Sequence, residues 1–494
     1  MIDLLTITVI IIGTAALALP LLQLLEGRSQ NLAGYILALV LAASIALIGA
    51  FTFSGPSPSS VSWAGTLLHP DQLGGIFALV TLGVTLAVTV ASFDFERGPS
   101  NPVYYSLLAF TALGMVFLAY SQDLLMLFVA WELMSLPTYV LAGFSKTRQS
   151  NEASVKYAII GAMSSAVILY AISLAYGLTG STQISVVAAR FAAVLSASSQ
   201  STALASVAVL LFVAGFGFKM SIVPFHMWIP DAYEGAPTTI STLLAAATKK
   251  AGFIAAIRVL LAITTLYAVT QSPIFTMANV FAVLALLTMT LGNVSALTQK
   301  SMTRLLAYSS IAQAGYMLIG FVAFTNAPGS AAASLGLTGT VFHVINHAVM
   351  KGVAFLAAAL VILQLKRADL GAYDGLAKRM PLTAFTLAVA LLGLAGVPPL
   401  SGFWSKLLLV LSVANGPYGW LALAAILNSA FSLGYYAWII KRMYMDEGES
   451  TEKVKEPFWF VIVFAVMVGL IIGIGLFPQQ VISFASSASA NFLG

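Results

Sequence analysis

The chain has 494 residues, 60% of them hydrophobic and only 8% charged, whereas a soluble domain carries about 25% charged residues. So few charges cannot clothe a water-facing surface, and lipid must be the solvent for most of the molecule. The absence of cysteine excludes iron–sulfur clusters, thiolate metal sites and disulfides held by this chain, and four histidines argue against a haem or di-metal centre. The net charge of +5 would point to nucleic acid only if the basic residues clustered on one wetted surface, and they are spread over loops instead.

Hydropathy divides the chain into fourteen apolar runs, each long enough to cross a hydrocarbon core of about 30 Å. In chain order they are 4–25, 32–52, 73–93, 102–120, 122–144, 152–178, 202–225 and 238–264. The series continues with 275–298, 303–325, 334–362, 382–409, 418–441 and 457–478. The first run has no basic flank and no small-residue cleavage site, so it reads as a permanent span. With the N-terminus outside, one side collects Arg28, Arg97, Lys146, Arg148, Lys156, Lys300, Arg304, Lys366, Arg367, Lys378, Arg379, Lys441, Arg442, Lys453 and Lys455. The other side has Arg190 alone. This positive-inside bias depends on the helix count, and it predicts a multi-pass protein of the cell membrane, or a thylakoid-like energy-coupling membrane, with both termini on the non-cytoplasmic side.

Six basic residues fall inside spans: Lys219, Lys249, Lys250, Arg258, Lys351 and Lys406, with Glu132 the one carboxylate clearly in mid-span. Each costs about 2.5–3.5 kcal/mol on insertion scales. A single lysine near a helix end is often a snorkelling side chain; a row of them is better read as an ion path. Burial penalises the charged form of lysine and a neighbouring carboxylate favours it, so a lysine between the two can load and release a proton.

Two spans carry helix breakers beside these charges. The seventh has Pro224, Pro230 and Pro237 after Lys219, and the twelfth has Pro398 and Pro399 before Lys406. Broken helices at matching places of two halves mark inverted-repeat transporters. The expected architecture is all-α integral membrane, about fourteen helices, with two inverted five-helix repeats whose helices 7 and 12 are broken. The segments are 1–101 (three N-terminal helices), 102–264 (first repeat), 275–444 (second repeat) and 457–494 (last helix). Span 11 adds His343, His347 and Lys351 at i, i+4, i+8, on one helix face. A His-x3-His pair suits zinc, but no third ligand stands near, and a polar stripe that relays protons is the better reading. His226 reads equally as a relay member or an interfacial cap. Lys249 and Lys250 point about 100° apart on a helix and are not expected to face the same path. Arg258 does not give up its proton and reads as a fixed counter-charge or lipid-head contact. Asp123 reads as an N-terminal helix charge.

The segments WELMSLPTYVLAGFSK, GFGFKMSIVPFHMWIPDAYEGAPTT, NVSALTQKSMTRLLAYSSIAQAGYMLIGF and GVPPLSGFWSK closely resemble the antiporter-like membrane subunits of complex I. The likeness covers about residues 100–445 and is nearest to the N type, with Gln313 in YSSIAQAGY and no long lateral helix at the C-terminus. It implies proton translocation driven by electron transfer to a quinone-like acceptor. No cofactor is expected in this chain; acceptor, flavin and iron–sulfur clusters would sit in partner subunits. The partners implied are M-like, L-like, K-like, J-like and H-like membrane subunits, with lipids around them. Glu132 falls on the family's span-5 glutamate, Lys219 on its span-7 lysine, Lys249 rather than Lys250 on the span-8 lysine, and Lys406 on the outer span-12 lysine. The HxxxHxxxK of span 11 is commoner in L, M and Mrp types. It points to an archaeal or otherwise divergent complex; such relatives can be fed by F420H2 or ferredoxin instead of NADH, and nothing in this chain reads the electron donor. The alternative is a subunit of a Mrp-type Na⁺ or K⁺/H⁺ antiporter.

Overall fold

The structure is a computed structural model that describes residues 4–25, 31–54, 67–94, 101–197, 199–263 and 276–493. Arg28 and Arg97, two of the basic residues assigned to one side, lie outside the described residues. In oil a chain must satisfy its own backbone groups, which leaves helices as the way to span, and the described residues are helical almost throughout. The first six are α1 (Leu4–Ala18), α2 (Leu32–Ser54), α3 (Gln72–Ser92), α4 (Asn101–Tyr120), α5 (Leu124–Ala142) and α6 (Arg148–Thr179). Next come α7 (Ile184–Ala197), α8 (Ser199–Met220), α9 (Ile229–Gly235), α10 (Thr238–Leu243) and α11 (Lys249–Ala256). The rest are α12 (Met277–Leu297), α13 (Met302–Asn326), α14 (Ala331–Leu365), α15 (Leu376–Arg379), α16 (Pro381–Ala395), α17 (Ser401–Ala414), α18 (Gly419–Tyr444), α19 (Phe458–Leu476) and α20 (Pro478–Leu493).

Twelve helices among the described residues are long and apolar enough to cross a membrane. The molecule is an all-helical membrane protein with about twelve candidate spans. The two expected runs missing from that set are the interrupted ones. Run 238–264 is divided into α10, a π segment Leu244–Thr248, α11 and a second π segment Ile257–Leu261. Run 382–409 is divided between α16 and α17, which are too short to cross alone. The seventh run is also broken: α8 ends at Met220, Ser221 takes φ +70, and α9 starts at Ile229. Both proline breaks contain a cis peptide bond, Val223–Pro224 and Pro398–Pro399. The π segments have no proline within them; their wider turns, common at functional sites, bracket the Lys249–Lys250 pair.

Helix starts are fixed by side-chain caps, as helices with unpaired N–H groups require. Asp71 accepts from Gly74 at 2.6 Å, Asp123 from Leu125 and Met126 at 2.9 and 3.1 Å, Thr147 from Ser150 at 3.1 Å and Ser330 from Ala333 at 3.1 Å. Asp123 is thus a helix-terminal charge, and it also accepts from Thr182 at 2.5 Å. Close helix contact relies on small residues: α12 and α13 meet where Gly292 faces the Ala312 backbone and Gly315 faces that of Met289.

The connecting segments sort into two ends. At one end Asp231 binds Lys156 (2.8 Å) and Arg304 (2.9 Å), Arg442 binds Asp374, and Arg367 binds Glu449, so the basic loops meet one another. At the other, residue 68 pairs with 121 and 123 with 183. Two helices escaped the hydropathy reading. α7 lies in what reads as a loop, with Arg190 donating to the Thr179 carbonyl. α20, rich in serine and alanine, folds back so that Phe484 stacks on Phe53 at 4.8 Å and Ser487 reaches Gln72 at 3.4 Å.

Candidate functional site

The first part of the site forms where α8 breaks. Lys219 lies in the last turn of α8, 1% exposed. Its Nζ donates to Tyr157 Oη at 2.8 Å and Ser135 Oγ at 3.1 Å, and it lies 5.1 Å from the centre of the Tyr157 ring. Tyr157 is itself stacked on Trp228 at 4.5 Å, and the Trp228 indole donates to the Phe218 carbonyl at 3.2 Å, so the break is folded over the lysine. Gly252 of α11 packs on Lys219; a Cβ there would stand 3.0 Å from the Lys219 Cβ. Glu132 is half-buried on α5 and accepts a hydrogen bond from Ser165. It does not form an ion pair with Lys219 within 4.0 Å.

The second part gathers around α13 and α14. Lys249 donates to Ser310 Oγ at 2.7 Å and to the Ser310 carbonyl at 3.0 Å. Lys351 donates to Ser309 Oγ at 2.6 Å and to the Leu306 carbonyl at 3.3 Å. Adjacent serines of α13 thus hold the span-8 and span-11 lysines, one each, and Ser309 also bonds the Tyr436 hydroxyl. Lys250 turns the other way: its Nζ lies 2.5 Å from His347 Nδ1 and 3.2 Å from the Ala245 carbonyl. Lys249 and Lys250 thus turn to different partners, and neither leaves the interior, because residues 239–261 are buried throughout.

The third part is at the α16–α17 break. A helix that ends leaves its last carbonyls without partners, and Lys406 supplies them: Nζ donates to Leu394 O at 2.8 Å and Ala395 O at 3.1 Å, and to Ser429 Oγ at 3.0 Å. The ammonium lies 4.5 Å from the centre of the Tyr316 ring. Gln313 donates to the same Leu394 carbonyl at 3.0 Å and holds His343 Nε2 at 3.0 Å, while His343 Nδ1 meets Ser405 Oγ at 2.9 Å. His343 and His347 have ring centres 6.2 Å apart.

Lys249, Lys250, His343, His347, Lys351 and Lys406 are thus brought together, and Lys219 stands against the Gly252 turn of the same buried helix. His226 is half-buried in the α8–α9 break, and its Nδ1 has no hydrogen-bond partner; the structure does not join it to the row. Arg258 is held apart from it. Its guanidinium binds Asp71 bidentately at 2.8 and 2.9 Å, and Nε donates to the Ala119 carbonyl at 2.8 Å. Of its two expected roles, it has the fixed-charge one. Sequence reasoning missed Ser135, Tyr157, Ser165, Ser309, Ser310, Ser429 and Asp71. The Ser-Ser doublet and the serine one turn after Glu132 are visible signals, but serines in apolar helices so often bond their own backbone that they do not stand out. Among the described residues, no three or more His, Asp or Glu side chains group to hold a metal.

Residues 121–432, which carry this whole arrangement except Asp71, its neighbour Ala119 and Tyr436, match the family described as NADH:quinone oxidoreductase/Mrp antiporter, transmembrane. The chain belongs to that family. Subunit N of the F420H2 dehydrogenase of Methanosarcina mazei is 39% identical, with 97% of each chain covered. Subunit N of the NADH-quinone oxidoreductase of Desulfitobacterium hafniense is 37% identical over 87% of this chain and 86% of its own. A chain of respiratory complex I from Thermus thermophilus superposes with a TM-score of 0.79 at 29% identity, covering 97% of this chain and 99% of its own. Within the family the chain is an antiporter-like membrane subunit of the N kind, part of a complex I-type assembly.

Proposed function

We propose that this subunit translocates protons across an energy-coupling membrane, driven by electron transfer to a quinone-like acceptor in partner subunits, and that Glu132, Lys219, Lys249, Lys351, His347 and Lys406 carry the protons. The observation that supports it most is the row of five buried lysines, none of them in an ion pair among the described residues. Their ammonium groups are held by hydroxyls, carbonyls and an imidazole, partners that tolerate either protonation state. The donor, a reduced nicotinamide or the deazaflavin F420H2 named in the M. mazei relative, would be read by other subunits, which would also hold flavin and iron–sulfur clusters.

The proposed topology counts fourteen crossings. The twelve long helices are joined by the π-interrupted segment 238–263 and by α16 with α17. Two inverted five-helix repeats, α4 to α11 and α12 to α18, then place the α8–α9 and α16–α17 breaks at equivalent positions. Both termini lie on the non-cytoplasmic side, and M-like, L-like, K-like, J-like and H-like subunits are the neighbours. The drive is electrostatic: at 4 Å and an effective dielectric of about 20, two unit charges interact by about 4 kcal/mol. Moving Glu132 toward or away from Lys219 is therefore enough to load or empty the lysine.

Lys219→Ala tests this in the complete complex reconstituted into liposomes. Assembly is expected to persist and the ratio of protons moved to electrons transferred to fall sharply. A wild-type ratio would remove Lys219 from the mechanism. Sodium-dependent proton exchange without an electron donor would favour a cation antiporter instead.

A further inference from the structure

The family likeness selects Lys249 as the central lysine and assigns nothing to Lys250, yet the hydrogen bonds give the two different destinations. From Lys249 they lead to Ser310, whose sequence neighbour Ser309 holds Lys351 and Tyr436, so this branch ends on hydroxyls. From Lys250 they lead to His347, whose other nitrogen, Nε2, is buried and has no protein partner. Imidazole passes a proton from one nitrogen to the other only when both are available.

The two histidines of span 11 differ in this respect. Gln313 donates its amide N–H to Leu394 O, which directs its Oε1 at His343. An amide oxygen only accepts, so His343 carries a hydrogen on Nε2, while Nδ1 meets Ser405 Oγ, whose single hydrogen also reaches the Gly402 carbonyl. Both nitrogens are engaged by protein groups. His347 has one nitrogen on an ammonium and the other free.

Resting on the pump reading above, we infer that Lys250 is itself a proton carrier and that Lys250 and His347 share one transferable proton, while His343 is a positioning residue that holds Gln313 and Ser405. In the loaded state Lys250 as ammonium donates to Nδ1 of neutral His347, which bears its hydrogen on Nε2. The Nζ–H bond breaks as Nδ1–H forms, giving an imidazolium and a neutral amine. The Nε2–H proton then leaves to water, which leaves the hydrogen on Nδ1, and the starting tautomer returns when a bridging water takes the Nδ1 hydrogen as it gives one to Nε2. Nothing is oxidised or reduced, and one proton enters and leaves per cycle.

Three variants of the complete complex, reconstituted into liposomes, test this against Lys219→Ala as the reference. Lys250→Arg keeps the positive charge and a donor to His347 but does not release its proton. His347→Asn keeps an acceptor for Lys250 but has no second nitrogen to pass a proton on. Each is expected to lower the proton-to-electron ratio to the Lys219→Ala level. His343→Gln is expected to lower it less, in proportion to its effect on assembly. A wild-type ratio in Lys250→Arg beside a low one in Lys219→Ala would overturn the Lys250 assignment and leave the pump reading standing. Wild-type ratios in both would overturn both. Should Lys250→Arg not assemble, His347→Asn decides: a ratio above the Lys219→Ala level refutes the shared proton.

Discussion

The molecule buries positive charge in two ways. Arg258 is 2% exposed and clasped by both oxygens of Asp71 from the start of α3, with a backbone carbonyl on its third donor. The lysines are equally buried, but they have no carboxylate in contact and use weaker, reversible partners. A guanidinium that never deprotonates, locked in a bidentate pair, fixes where helices stand. An ammonium held by hydroxyls keeps its position whichever way its proton goes. Buried charge alone is therefore no sign of transport; the partner decides.

The comparison breaks first, and by the largest effect, if Lys219→Ala pumps normally. Next comes its converse. Asp71→Asn leaves Arg258 charged and half-satisfied in the interior, a loss of about 3 kcal/mol for a broken buried pair. The solubilised complex should melt at a lower temperature, while complexes that survive keep their proton-to-electron ratio. Unchanged melting with lost pumping would place Arg258 in the path. A smaller effect is expected at the α16–α17 break. Gly396 has φ +86, and a Cβ there would stand 3.1 Å from Lys406 Cδ. Gly396→Ala should cost about 1–2 kcal/mol of backbone strain and, by displacing the ammonium from Leu394 O, reduce pumping severalfold. A variant that melts lower but pumps normally would show that the position of Lys406 is not critical.

Much of this was legible in the sequence, for physical reasons that also explain what was not. Apolar runs report helices because lipid forces the whole segment to be oily, so the long helices appear where hydropathy puts them. Proline marks the two breaks because it removes a donor. The π segments around Lys249 and Lys250 carry no such residue and arise from packing, so nothing announces them. α20 is too polar and α7 too short for a hydropathy search. Lys219, Lys351 and Lys406 are conspicuous because charge in oil is costly. The side chains that hold them are serine and tyrosine, which occur freely in membrane helices. Asp71 lies at a helix start, where a cap explains it fully, and its second task with Arg258 depends on a residue 187 positions away. That both lysines of the pair stay buried was not legible, because helix-face reasoning assumes a helix with an outside, and residues 239–261 have none.

The smallest effect expected sets the lower end of the scale, a charge pair in water. Arg367 grips both oxygens of Asp369 at 2.9 and 3.0 Å in the loop after α14, and Asp369 also caps Gly371 at 2.9 Å. The Arg367 guanidinium holds the Asp369 carboxyl below its usual value. Because the folded value is the lower one, the pair stabilises the fold above the unfolded aspartate value of about 4, and that contribution fades as pH falls through the folded value. Half of the Asp369 side chain is exposed, so screening limits the effect to about 0.5 kcal/mol or less. Asp369→Asn should therefore melt marginally below the wild type at pH 7, and the two curves should converge on acidification below about pH 4. A gap as large as that of Asp71→Asn, or one that widens in acid, would mean that burial is not what separates a structural pair from a surface one in this protein.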